Sequence, residues 1–298
     1  TKHLDKQSYV VVGANGGGNA GHTVVIDKSD STGGKVKLAF HELPGGAVEA
    51  ECIFLSQGRV INLQNLIKES EEIELHKPNT KRCIYVASRA IVNIDGVYNK
   101  VEDIIEESKG VNKVGSTKQG IGPAYAGEAL RTALTMGQLF SLSNDQIDQK
   151  VSELCTVFPY LKKEEILQGL SSAKANIQAL LQSGKIQIVS DDFLTTDVVK
   201  GKHILIEGAQ SVGLGKFGGS YPNNTSSDCS LHGILSACLL PKADLCIGVA
   251  KAIVSKVGGG RFNTKLEDSD VSIDFVNEYR EMACEYGATT KRPRQLGF

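Results

Sequence analysis

Residues suited to binding anions or moving protons fall in glycine-rich clusters. The segment GGGNAGHT, Gly16 to Thr23, follows an apolar run, Tyr9 to Val12. Glycines let backbone N–H groups approach a phosphate, and His22 stands among them with no apolar periodicity to bury it. It is a proton-handling group or a turn residue, and the segment by itself leaves both open. Gly16, Gly18 and Gly21 formally satisfy G-x-G-x-x-G, yet no acidic ribose partner follows at the expected distance, and no Walker A loop occurs in the chain. A second cluster, GSTKQGIGPAY from Gly115 to Tyr125, offers the hydroxyls of Ser116 and Thr117 for a phosphate, or a rigid Gly-Pro turn ahead of Arg131.

The third cluster is EGAQ, Glu207 to Gln210, followed by a glycine-rich stretch and YPNNTSS, Tyr221 to Ser227. Gln210 falls just past a predicted strand, where α/β sheets place ligand contacts, and its amide can read a purine edge with one donor and one acceptor. A capped turn is the other reading. The fourth is GATTKRPR, Gly287 to Arg294, in which arginines flank a proline beside paired threonines. Guanidinium forks suit carboxylates and phosphates, whereas a solvated basic tail is the plainer alternative.

The elements that must hold these clusters read as an α/β fold. Short β-branched runs at Tyr9–Val12, Cys83–Val86, Ile186–Val189, His203–Glu207 and Leu245–Ala250 predict strands, several of them apolar enough to be parallel and covered on both faces. Between Leu161 and Lys185, Ile166, Leu170, Ala173, Ile177 and Leu181 share one helical face, and Gly184 supplies a stop. Asn144–Leu154 and Ser272–Tyr286 predict further helices, and Asp27–Lys37 a surface hairpin or loop. No repeat or Pro-rich linker divides the chain, so residues 1–298 are expected to form one large domain.

Composition excludes other classes. With 33 Lys+Arg against 34 Asp+Glu the net charge is −1, without the basic surplus of a nucleic-acid binder. No apolar run is long enough to span a membrane, and Thr1 to Gln7 does not read as a signal peptide, so a cytoplasmic protein is expected, with neither nucleic acid nor membrane as partner. The 7 cysteines form no CxxC pair and lie mostly in apolar segments, which predicts reduced core thiols.

Taken in order, GNAGHTVV (Gly18–Val25), HELPGG (His41–Gly46), GSTKQGIGPAY, EGAQ, YPNNTSS, KVGGGRF (Lys256–Phe262) and GATTKRPR resemble the adenylosuccinate synthetase family along the whole chain. That resemblance implies a single α/β domain around a central, mostly parallel sheet flanked by helices, P-loop-NTPase-like but without Walker A. It implies a ligase that uses GTP to join IMP and L-aspartate through 6-phosphoryl-IMP, in AMP biosynthesis, with Mg²⁺. By the same resemblance, His22 and Gln210 are catalytic. IMP is bound by Asn19, Ala20, Gly21, His22, Thr117, Gln210, Thr225 and Arg292, and by Arg131 reaching into the partner's site of a homodimer. Aspartate is bound by Ala288, Thr289, Thr290, Lys291 and Arg292, GTP by Gly21, His22, Thr23 and Arg294, and the Gly21 carbonyl ligates Mg²⁺.

Two departures stand out. The family's first strand runs into a loop reading WGDEGKGK, whose Asp is the base on IMP; here Asn15 is followed at once by Gly16. The family also continues beyond the position of Phe298 into a segment that recognises guanine. A crossover in a parallel sheet needs about a dozen residues, so the expectation is that a loop and helix belong between Asn15 and Gly16 and are missing from the sequence. The alternatives are an inactive relative that keeps the purine site, and a ligase for another purine monophosphate, told apart by comparing IMP with dGMP.

Overall fold

The structure is a computed structural model, and it describes residues 9–27, 34–94, 97–256, 259–260, 262–266, 272–286 and 293–297. Its centre is a 5-stranded parallel sheet in the order β8-β6-β4-β1-β9, formed by β1 (Tyr9–Gly13), β4 (Cys52–Leu55), β6 (Cys83–Ala87), β8 (Ile186–Val189) and β9 (His203–Glu207). The register sets Leu205, Val11, Ile53, Ile84 and Ile186 side by side across it. Alternation along β1 sorts side chains to two faces. Tyr9 and Val11 enter the larger core with Ile53, Leu66, Val101, Ile166 and Ile177. Val10 and Val12 enter a smaller one with Phe54, Phe193 and Cys238, where Phe193 stacks on Tyr85 at 4.5 Å between centroids.

Smaller sheets surround this centre. β2 (His22–Asp27) and β3 (Lys35–Phe40) form an antiparallel pair, β5 (Val60–Asn62) and β7 (Ile91–Asn93) a parallel one, and β10 (Val254–Lys256) and β11 (Gln295–Gly297) an antiparallel one. The helices are α1 (Leu63–His76), α2 (Tyr98–Ser108), α3 (Ile121–Ala129), α4 (Met136–Ser141), α5 (Asn144–Val157), α6 (Lys163–Gln182), α7 (Leu231–Ala237) and α8 (Ile273–Met282). In α6 the predicted face is the buried one, with Ile166, Leu170, Ala173 and Ile177 inside, and Gly184 follows the helix at φ +73°. Ser143 caps α5 through a reciprocal pair with Gln146. Among the described residues, no helix is long and apolar enough to cross a membrane.

Some expectations are corrected. Leu245–Ala250 is not a strand but irregular and exposed, with Leu245 at 76%, Ile247 at 74% and Val249 at 95% of full exposure. A β-branched run becomes a strand only against a partner edge, and this one pairs with none of the described strands. The predicted helix at Ser272–Tyr286 ends at Met282, and Cys284 follows in a left-handed conformation, φ +52°. The junction of Asn15 with Gly16 is a turn in the chain as given. From β1 the chain turns through Asn15–Gly21 into the β2–β3 hairpin, which lies outside the parallel sheet, and only afterwards reaches β4 beside β1. The hairpin and the 3-10 turn at Gly45–Val48 serve as the connection.

Candidate active site

Strand order reverses at β1: one neighbour begins the run β4, β6, β8, and β9 lies on the other side. Ligands in open α/β sheets bind in the crevice beyond the strand C-termini at such a switch. The loops after β1 and β9 both open there. Gly16 has φ +74°, and a Cβ built on it would lie 3.1 Å from Ala209 Cβ, 3.4 Å from Gln210 Oε1 and 3.5 Å from Asn19 Oδ1. Asn19 and Gln210 therefore border the same space at Gly16, and a side chain there would fill it.

Asn15, 3% exposed, locks the two loops together: its Oδ1 accepts the Ala209 N–H at 3.1 Å, and its Nδ2 donates to the Asp228 carbonyl at 3.3 Å. Gln210 is held at φ +60°, a conformation that disfavours residues with a Cβ. Its Nε2 is buried without a hydrogen-bond partner among the described residues, and its Oε1 lies 3.9 Å from Cys229 Sγ. The GSTKQGIGPAY cluster enters through α3. The Tyr125 hydroxyl accepts the Gly16 N–H at 3.1 Å and donates to the Gly58 carbonyl at 2.7 Å, and burial pushes its pKa up to about 12. Gln119 Oε1 comes within 3.2 Å of a Cβ built on Gly18. The YPNNTSS loop closes the same region: Ser226 Oγ lies 3.1 Å from a Cβ built on Gly122, and the Thr225 N–H donates to the Leu214 carbonyl at 2.7 Å.

His22 opens β2, with Nδ1 3.8 Å from Glu207 Oε2. Burial lowers its pKa below the ordinary 6.5, the Glu207 carboxylate works in the opposite direction, and Arg59 and His41 add to the lowering. Around neutrality the imidazole is therefore uncharged. Glu207 in turn accepts the N–H groups of Gly45 at 2.8 Å and Gly46 at 2.7 Å, which ties β9 to the HELPGG loop. The other half of that loop is held by Glu69 of α1, which accepts the N–H groups of His41 at 2.6 Å, Glu42 at 3.0 Å and Leu43 at 2.9 Å. Arg59, 2% exposed, donates to the carbonyls of Asn15 at 3.2 Å, His41 at 3.0 Å and Glu42 at 2.6 Å. Its fork joins the β1 loop to the HELPGG loop. His41 Nδ1 donates to the Ala20 carbonyl at 2.7 Å, which fixes the loop just ahead of His22.

Of the residues singled out from the sequence, Asn19, Ala20, His22, Gln210 and Thr225 are half-buried on loops that meet at this crevice. Gly21 and Thr23 flank His22 and are exposed. Thr117 lies on the loop that carries Gln119 and makes no hydrogen bond with the described residues. Arg131 is elsewhere: it follows α3 at φ +63°, exposed, and its side chain engages none of the described residues. Arg294 lies beside β11 and pairs with Glu285 at 3.1 Å, a carboxylate that also holds Lys251. Ala288, Thr289, Thr290, Lys291 and Arg292 fall outside the described residues. Sequence reasoning gave no role to Asn15, His41, Arg59, Glu69, Tyr125 or Glu207. Three of these, His41, Tyr125 and Glu207, stand inside the recognised motifs. Arg59 and Glu69 carry no local signal.

The sequence model of the adenylosuccinate synthetase family matches residues 1–298. The chain is 33% identical to the adenylosuccinate synthetase of Picrophilus torridus over 292 residues, covering 97% of this chain and 64% of that protein. It is likewise 33% identical to that of Plasmodium yoelii yoelii, covering 99% and 64%. It thus spans somewhat less than two thirds of these relatives' length. A fully ligated adenylosuccinate synthetase from Plasmodium falciparum superposes with a TM-score of 0.77 at 30% identity, over 98% of this chain and 66% of that one. The succinoaminodeoxyadenylate synthetase of cyanophage S-2L, bound to dGMP and dATP, shares the fold with a TM-score of 0.61 at 19% identity, over 98% and 70%. With its motifs in register and the whole of its length matched, this chain belongs to the adenylosuccinate synthetase family.

Proposed function

We propose that this chain carries the IMP-binding and phosphoryl-transfer crevice of a GTP-dependent ligase that joins IMP and L-aspartate into adenylosuccinate, within a single cytoplasmic domain. The observation that carries the reading is the Gln210 amide: its Nε2 is buried without a partner, beside Gly16 and Asn19, at the switch point of the sheet. A buried donor left unpaired costs free energy unless a ligand completes it, and the hypoxanthine edge supplies the acceptor.

In this reading Asn19, Ala20, Thr117 and Thr225 hold the IMP phosphate and the groups near it. His22, neutral and next to Glu207, stands against the γ-phosphoryl group as it passes from GTP to O6 of IMP. The GTP phosphates lie along Gly21 and Thr23, and Arg294 approaches the same nucleotide. Oxygen at C6 leaves poorly, so its phosphorylation lets the aspartate amine displace phosphate at C6. Ala288 to Arg292 bind the aspartate carboxylates, with Arg292 also reaching IMP. Arg131, exposed and engaging none of the described residues of its own chain, reaches the IMP phosphate of a second copy in a homodimer.

Mg²⁺ arrives on the GTP phosphates. Among the described residues no group of three or more His, Cys, Asp or Glu could hold a metal. A phosphate-bound Mg²⁺ would need few ligands from protein, so the backbone carbonyl of Gly21, an exposed residue, would fit as one oxygen. When bound it neutralises charge on the transferring phosphoryl group.

No carboxylate stands at the end of β1. Asn15 occupies that place, and its amide is fully engaged in holding Ala209 and Asp228. This favours, as the second reading, a relative that binds IMP without turning it over. The deciding experiment offers the protein IMP, GTP, aspartate and Mg²⁺, follows adenylosuccinate by absorbance, and titrates IMP and dGMP separately by calorimetry. Product formation from IMP supports the ligase. Tight IMP binding without product gives the second reading. Preference for dGMP, or no nucleotide binding, overturns both.

A further inference from the structure

Loop 115–120 is held largely from outside. Its donors are taken by α2, on which Glu102 and Glu106 stand one turn apart and so face the same way. Glu106, 3% exposed, accepts the N–H groups of Gly115 at 2.5 Å and Ser116 at 3.3 Å through one oxygen, and Lys109 Nζ at 3.1 Å through the other. Glu102 accepts the Ser116 hydroxyl through one oxygen and the Gly120 N–H at 2.5 Å through the other. The Lys118 N–H donates to Ser116 Oγ at 3.0 Å, which closes the turn, and Lys118 sits at φ +58°. The neighbouring carboxylates of α2 are matched by cations: Asp103 by Lys118 at 2.8 Å, Glu107 by Lys113 at 2.6 Å.

One residue at the crown of this loop is left out of the network. Thr117 makes no hydrogen bond with the described residues, so both its N–H and its hydroxyl are available to an anion. A helix that carries Glu102, Asp103, Glu106 and Glu107 would ordinarily repel a phosphate. Here the three lysines just named offset most of that charge at contact distance, and Glu102 turns toward hydrogen-bond donors.

We infer that Glu102 and Glu106 are positioning residues for the substrate phosphate: they fix loop 115–120 in the one shape that presents Thr117, and they set affinity for the monophosphate without touching it. The inference rests on the reading of this crevice as an IMP site. It differs from that reading in assigning the preorganisation to α2, whose carboxylates no motif marks. Truncating either carboxylate releases backbone donors from the clamp, so the loop must be ordered again each time a phosphate binds.

The test is equilibrium binding of IMP and of inosine, which lacks the phosphate, to the wild-type chain and to Glu102→Ala, Glu106→Ala, Glu102→Gln, Thr117→Val and the Glu102→Ala/Thr117→Val pair. Glu102→Ala and Glu106→Ala weaken IMP by about tenfold and leave inosine within about twofold. Glu102→Gln, which keeps an oxygen acceptor while Ser116 can reverse its hydroxyl, retains most of the affinity. The double variant binds no worse than Thr117→Val alone, as expected when one residue acts through the other. A merely structural role would lower IMP and inosine affinity together, and that result overturns the inference, as does unchanged IMP binding in both alanine variants. Should Glu106→Ala not fold, the half-buried Glu102 gives the same comparison. A wild-type chain that binds no IMP overturns the functional reading itself, and this inference with it.

Discussion

Glu207 Oε2 lies 3.8 Å from His22 Nδ1 while the same carboxylate accepts the N–H groups of Gly45 and Gly46. The pair couples the end of β9 to the start of β2, and its charge is what limits the fall of the His22 pKa. Burial is the larger influence and lowers that pKa. Because His22 in the folded chain titrates below its ordinary 6.5, the unfolded chain binds more protons as pH drops through that value. Stability contributed by neutral His22 is thus complete above pH 6.5 and declines below it, through the folded-state pKa. Glu207→Gln removes the opposing charge, so the His22 pKa falls further and the acid-side loss of stability steepens. Imidazole proton shifts followed by NMR against pH check the first statement, and urea midpoints at pH 7.5 and 5.5 the second. A His22 pKa that rises in Glu207→Gln would contradict both.

Gln210 is strained in the free protein, with φ +60° and its amide nitrogen buried without a partner. Glycine accepts that backbone conformation without penalty and removes the orphaned donor. Gln210→Gly is therefore expected to leave stability unchanged or raise it by about 1 kcal/mol. IMP binding in the same variant weakens by roughly tenfold to a hundredfold, the value of a buried hydrogen bond that only the ligand completes. Thermal melting with and without IMP measures both at once. A loss of stability together with unchanged IMP affinity would show that Gln210 is a structural turn residue.

What could be read from the sequence follows from how local each signal is. His203–Glu207 and Ile186–Val189 match their strands end to end, because β-branched runs bounded by polar residues are self-contained signals. The face of α6 was legible for the same reason. The crevice motifs were legible as motifs, and the structure brings Gly16, Asn19, Gln210 and Gln119 to one place. What holds them there was not. Glu207 reaches back to Gly45 over 162 positions, and Arg59 links loops whose proximity depends on β1 and β4 being neighbours. Leu245–Ala250 has strand composition without a strand's partner among the described residues. That misreading arose where topology overrides local pattern.

The Tyr125 hydroxyl is the bridge between Gly16 and Gly58, accepting from one and donating to the other. Tyr125→Phe keeps the ring and takes this partner from the N–H of buried Gly16 and the C=O of half-buried Gly58. The expected cost is about 2 kcal/mol, larger than a surface substitution and smaller than a cavity left by a whole ring. Hydrogen exchange localises it: the amide of Gly16 loses protection in Tyr125→Phe, whereas Val11 in the middle of β1 keeps its own up to the global limit. Equal loss at both positions would mean that the hydroxyl stabilises the whole fold and not this turn.

Arg59 is nearly buried, yet its fork ends on three backbone carbonyls and its NH2 lies 3.8 Å from the buried carboxylate of Glu42. Arg59→Met fills much of the volume but takes the guanidinium from the side of Glu42, 0% exposed, and frees the carbonyls of Asn15 and Glu42, which are buried, and of His41, which is half-buried. Removing one partner of a buried pair costs about 3–5 kcal/mol, a large fraction of the stability of an ordinary chain. Arg59→Lys restores the charge and not the fork: a single ammonium cannot reach carbonyls on two different loops at once. It is expected to recover part of the stability while IMP affinity stays low, because the loop from Asn15 to Gly18 is no longer tied to the HELPGG loop. Circular-dichroism melts and IMP titrations on the two variants separate charge from geometry. Full recovery of both by lysine would show that neutralising Glu42 is all that Arg59 does.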